Sequence, residues 1–193
     1  MGIEFELKYR ATPEQLAAIS AAVTGQTQLF SMHTTYYDTP DNALSARHYT
    51  LRQRWENQTS VCTLKYPAAD DGRGEIELAA TQIEDAFPEL CKLSKLPDLP
   101  ALVQNGVVPV CGAKFNRTAI TLTLPDATLE LALDSGILYG GNREQPLCEV
   151  EVELKAGDRT TARAYGVLLA ARYGLVPEQA SKFRRALGLA RGE

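Results

Sequence analysis

The stretch that decides the fold is Ile3-Glu4-Phe5-Glu6-Leu7-Lys8-Tyr9, in which apolar and charged side chains alternate without a break. On a β-strand this puts Ile3, Phe5, Leu7 and Tyr9 on one face and Glu4, Glu6 and Lys8 on the other. An antiparallel sheet with its polar side in water reads this way. The pattern returns near the other end, where residues 147–155 place Glu149, Glu151, Glu153 and a lysine on one face. Arg52 and Arg54 keep the same period in residues 50–55, Glu75 and Glu77 keep it in 74–78, and Lys65 lies on the charged side of 61–66. Arg73 has the parity of Glu75 and Glu77 and joins their face if that strand begins early. The charged faces are therefore sorted by sign. Like charges two residues apart repel, and an ordinary solvent face would interleave them. Clustered carboxylates suit a hard divalent cation, and clustered Arg and Lys suit phosphate. Together they point to a metal and a polyphosphate held at one place.

Length and composition set the frame for this site. The 193 residues suit one domain spanning 1–193, and 45% hydrophobic with 23% charged residues is the composition of a globular protein. The net charge of −4 repels nucleic acid and acidic membranes, so neither is expected as a partner and the anion site must be local. Cys62, Cys91, Cys111 and Cys148 show no CxxC spacing and read as reduced packing residues of a cytoplasmic protein. No apolar run reaches the roughly 18 residues of a membrane span.

Along the chain, Thr12-Pro13-Glu14-Gln15 opens a helix with a capping box, and Leu16, Ile19 and Val23 form its apolar stripe. Residues 31–39 form a strand running into a turn at Pro40. Residues 81–104 form a helical excursion, and strands resume at 107–111 and 115–124, with Arg117 and Ala119 on one face. Glu130, Ala132 and Asp134 are cofacial in the next strand. Asp158 caps a helix ending at Gly174, and a last helix starting near Pro177 carries Lys182.

With these pieces placed, the chain resembles the CYTH superfamily, the triphosphate tunnel metalloenzymes, most closely the bacterial inorganic triphosphatase branch. The likeness rests on Glu4-Phe5-Glu6-Leu7-Lys8 as an ExExK signature at the start of the chain. Tyr36-Tyr37-Asp38-Thr39, Leu51-Arg52-Gln53-Arg54, Thr63-Leu64-Lys65 and Gly74-Glu75-Ile76-Glu77 follow in family order. So do Glu130 with Asp134, the strand from Pro146 to Leu154, and Ser181-Lys182. The resemblance implies an α+β fold: an eight-stranded antiparallel β-barrel with a polar lumen, helices packed outside and a C-terminal plug helix. Many members of the branch continue into a helical CHAD domain; the sequence ends at Glu193.

It also implies roles for residues. Glu4 and Glu6, with Glu151 and with Glu149 or Glu153, would hold Mg²⁺ or Mn²⁺. Lys8, Arg52, Arg54, Lys65 and Arg117 would cradle the triphosphate, and Lys182 would close one mouth of the tunnel. Glu4, Glu6, Lys8 and Lys182 form the expected catalytic group. Glu75, Glu77, Glu130 and Asp134 would order the basic side chains or assist a second metal or the attacking water. Ala119 departs from the family pattern, which often has a second basic residue there. The expected activity is metal-dependent hydrolysis of the terminal phosphoanhydride of inorganic triphosphate, extending to nucleoside triphosphates. The alternatives are a class IV adenylate cyclase, a thiamine triphosphatase and a non-catalytic polyphosphate-binding module. The expected partner is a small-molecule polyphosphate, and a homodimer is compatible with the sequence.

Overall fold

The computed structural model describes residues 5–68 and 73–193. Glu4, expected at the head of the first charged ladder, lies outside them. In order the elements are β1 (Glu6–Arg10), α1 (Pro13–Ala22), β2 (Gln26–Asp38), α2 (Ala43–Ala46), β3 (Thr50–Glu56), β4 (Thr59–Pro67) and β5 (Arg73–Ala79). Then follow α3 (Ile83–Ser94), α4 (Leu99–Val103), β6 (Val108–Thr123), β7 (Ala127–Gly140), β8 (Arg143–Gly157), α5 (Arg159–Tyr173), β9 (Val176–Pro177) and α6 (Lys182–Arg191).

The strands form one antiparallel sheet in the order β5-β4-β3-β2-β6-β7-β8-β1-β9. Among the described residues it has nine strands where eight were expected, because Val176 and Pro177 pair with Arg10 and Tyr9 before the last helix begins. Among the described residues no hydrogen bonds join β5 to β1 or β9, so the sheet is not closed by its backbone. It is strongly curled nonetheless, since side chains from β1 and β5, near opposite ends of that order, line the same cavity.

Local chemistry explains most element ends. Thr12 accepts from the Gln15 N–H while the Gln15 side chain accepts from the Thr12 N–H, closing the expected capping box. Asp158 caps α5 and Gly174 ends it in the left-handed conformation. α6 starts after Ser181 rather than near Pro177, because Ser181 supplies the side-chain cap to Arg184 N–H. Separate strands were expected at 107–111 and 115–124, yet β6 runs unbroken through Gly112. A Cβ at that position would lie 2.3 Å from the Tyr139 hydroxyl, so the glycine admits a ring from β7 rather than a turn.

Helices cover the outer face in two groups. α1 and α5 bury Leu129, Leu131, Leu133, Val150 and Val152, and α3 and α4 bury Leu51, Leu64 and Ile76. α6 behaves differently and packs on the inner face against Ala113, Phe115 and Leu138. A Cβ on Gly140 would sit 2.4 Å from the Ala186 carbonyl oxygen, so this glycine lets the helix lie directly on the sheet. The inner face is consequently polar over most of its area but aromatic where α6 enters. No described helix is long and apolar enough to cross a membrane.

Candidate functional site

The concave face of the sheet encloses a cavity of about 360 Å³. Strand period and register fill it. Glu6, Glu153 and Glu130 are lateral neighbours on β1, β8 and β7, and the next row brings Lys8, Glu151 and Ala132 together. On the opposite wall Arg52 and Arg54 of β3 face Lys65 of β4 and Glu75 and Glu77 of β5. Glu6, Lys8, Arg52, Arg54, Lys65, Glu75, Glu77, Arg117, Glu130, Glu151, Glu153 and Lys182 all line this one space. Residues more than a hundred positions apart in sequence, such as Glu6 and Glu153, are thus brought together by topology.

One side of the cavity is a tight ionic cage. Lys182 Nζ, at the first turn of α6, lies 2.9 Å from Asp134, 2.7 Å from Glu151 and in close contact with Glu149. Arg117 makes a bidentate pair with Asp134 at 2.7 Å for both bonds and reaches Glu151 at 2.5 Å. Arg185 binds Glu149 at 2.8 Å and Glu178 at 3.3 Å. Four carboxylates meet three cations, which is how such a buried group of charges is tolerated. Burial disfavours the charged form of Glu151, but the Lys182 ammonium and Arg117 guanidinium overcome it and hold its carboxyl well below the usual range. Burial, reinforced by the Glu151 charge and only partly offset by Lys182, pushes Glu149 up to about 7. The surrounding carboxylates raise the Lys182 ammonium above its ordinary value despite its burial.

Asp134, Glu149 and Glu151 bring carboxylate oxygens within 4.8 Å of one another, a spacing that suits a metal ion. Lys182 already fills that role. Asp134 and Glu149 are fully buried behind it, so Glu149, expected as a metal ligand, is turned toward the helix rather than toward the cavity. The row of Glu6, Glu153 and Glu130 is different. These three face the cavity as neighbours of like charge, relieved by Lys8 at 3.2 Å from Glu6 and by Lys155 at 2.8 Å from Glu153. An all-oxygen donor set with residual negative charge fits a hard divalent cation.

The facing wall pairs its charges more loosely. Arg52 lies 3.6 Å from Glu75 and 3.4 Å from Glu77, Lys65 is 3.1 Å from Glu75, and Arg54 contacts Glu56. Burial, with the neighbouring Arg52 charge, lowers the Arg54 pKa below its ordinary value. Lys155, the lysine on the acidic face of residues 147–155, also lines the cavity, as does Glu56, which was not singled out from the sequence. Glu56 carries the parity of Arg52 and Arg54, which is the signal that could have found it. An apolar sector of Met32 with the aromatic Phe30, Tyr36, Phe115 and Phe183 was not foreseen either. It exists because α6 packs inside, with the Tyr36 and Phe183 rings 5.0 Å apart. His33 lies on the other face, 3.1 Å from the Tyr139 hydroxyl. The small Ala119 is buried opposite Ala132, leaving Arg117 as the cation of that strand in the cavity.

Comparison with known proteins follows the same lines. The family model described as the CYTH domain matches residues 2–187. A protein of Haemophilus influenzae named inorganic triphosphatase is 32% identical over 163 residues, covering 80% of this chain and 46% of that protein. The chain therefore spans less than half the length of this curated relative. Among solved structures, a putative adenylyl cyclase from Hippeastrum, described as having a dominant triphosphatase activity, superposes with a TM-score of 0.63 at 19% identity, covering 98% of this chain and 95% of that one. The PH1819 protein of Pyrococcus horikoshii gives 0.61 at 21% identity, covering 95% and 98%. At these identities the two structures speak for the fold alone.

Proposed function

The chain belongs to the CYTH domain family, and from that premise we propose that it is an inorganic triphosphatase that hydrolyses a terminal phosphoanhydride with the help of Mg²⁺ or Mn²⁺. The observation that carries this reading is the single cavity in which a cationic wall and a carboxylate row face each other. The Haemophilus relative, with its name of inorganic triphosphatase, supports it. In this reading β5 and β1 form the seam of a tunnel, and residues 1–193 work as one unit in the cytoplasm.

Phosphoryl transfer asks little covalent help of a protein and depends on positioning and charge neutralisation. Arg52, Arg54, Lys65 and Arg117 would grip the phosphate oxygens, with Glu75 and Glu77 holding Arg52 and Lys65 extended for that task. Lys8 and Lys182 would meet the charge that develops on the transferring group. Asp134 and Glu149 would act through Lys182, fixing its ammonium. Glu6, Glu130 and Glu153, with Glu4 and Glu151, are the residues that would hold the metal. When bound, the ion supplies charge neutralisation and a more acidic attacking water. Incubating the purified protein with tripolyphosphate and either metal should release phosphate. No release from folded protein would refute the proposal, and cyclic AMP formed from ATP would make it a cyclase.

A further inference from the structure

We propose that Arg73 forms a subsite for a fourth phosphoryl group, which makes linear polyphosphates longer than three units the preferred ligands of the cavity. The inference rests on the triphosphatase reading and extends it to chain length. Among the described residues, every other lysine and arginine on the cavity wall lies within ion-pair distance of a carboxylate. Arg73 does not. Its guanidinium donates to the Thr50 hydroxyl at 3.3 Å, a neutral acceptor, and it stands exposed at the edge of the cavity.

Position gives this cation its meaning. Arg54, Arg52 and Thr50 succeed one another on the inward face of β3, and Arg73 reaches across β4 to the last of them. It therefore extends the basic ladder past Arg52 and Lys65, pairing one register row beyond Lys65 with its guanidinium turned back to Thr50. The geometry is held by Gly74. A Cβ there would come within 2.5 Å of the Tyr66 ring, so the glycine lets β5 lie close to Tyr66 while Arg73 turns inward. A linear polyphosphate repeats its charge along its length, and its next unit would meet the guanidinium. A neutral group at that end, such as a sugar, would leave the charge unanswered.

The test compares tripolyphosphate with tetrapolyphosphate, by kcat/KM with Mg²⁺ and by calorimetric titration in EDTA. The wild type should favour tetrapolyphosphate by about fivefold, the worth of one exposed charge-assisted contact. Arg73→Ala should bring the ratio of the two ligands to about one, and Arg73→Lys should restore part of it. An unchanged ratio in Arg73→Ala, or a wild type that favours tripolyphosphate, would overturn the proposal. If phosphate is never released but titration shows the Arg73-dependent ratio, the subsite stands while the hydrolase reading falls. Binding of neither ligand overturns both.

Discussion

At the scale of single residues the molecule turns on Lys182. Its ammonium is the common counter-ion of three carboxylates, two of them fully buried. Lys182→Ala would leave these charges facing one another and should lower unfolding free energy by about 3–5 kcal/mol, read from urea denaturation. A loss below about 1 kcal/mol would mean the cage carries little of the stability. Acid sensitivity has a clear sign at a neighbouring residue. Burial works against the charged form of Glu178, but the Ala180 N–H and the Arg185 and Arg10 charges prevail and lower its pKa below the usual value. A carboxyl lowered in the folded state stabilises it above the unfolded pKa, and that contribution is lost as pH falls through the folded one. Urea midpoints taken from pH 7 to 3 should therefore drop more steeply for wild type than for Glu178→Gln below about pH 4.5. Parallel curves would remove Glu178 from the account. The ladder residues were legible because strand parity alone fixes their face. The cage was not, because pairing Lys182 with Asp134 needs the path of α6, which no local pattern reveals.

At the scale of elements, the two capped helices α1 and α6 make opposite demands. Thr12 and Ser181 perform the same hydrogen-bonding task, and replacing either with alanine should cost about 1 kcal/mol. Only Ser181→Ala should also slow tripolyphosphate turnover, because Lys182 follows it directly while α1 lies on the outer face. Equal turnover in both variants would separate α6 from the chemistry. Caps and strand phases were readable from sequence because they depend on neighbours a few residues away. The unbroken β6 and the short β9 were hidden, each depending on a distant packing partner, and the inward α6 was expected only through the family resemblance. Gly112 illustrates this: it lies between the two expected strands, and its place within one strand is explained by the Tyr139 ring packed against it.

At the scale of the whole molecule, a sheet that carries its charges inward reverses the usual allocation of polar and apolar faces, and the helices α1, α3, α4 and α5 supply the greasy layers that stabilise it. Added Mg²⁺ should raise the melting temperature of the wild type, and Glu6→Gln should reduce that shift, as measured by scanning calorimetry. The same shift in both would place the ion elsewhere. The mutual pairing of acids and bases inside the cavity has a thermodynamic corollary. Before any ligand arrives, the wall's own carboxylates act as resident competitors, occupying the guanidinium and ammonium groups that an anion needs. Uptake of an anion is therefore a displacement, and the evicted carboxylates become better hosts for a divalent ion. Metal and tripolyphosphate should each tighten the other's binding by the same factor, since coupling between two equilibria is reciprocal.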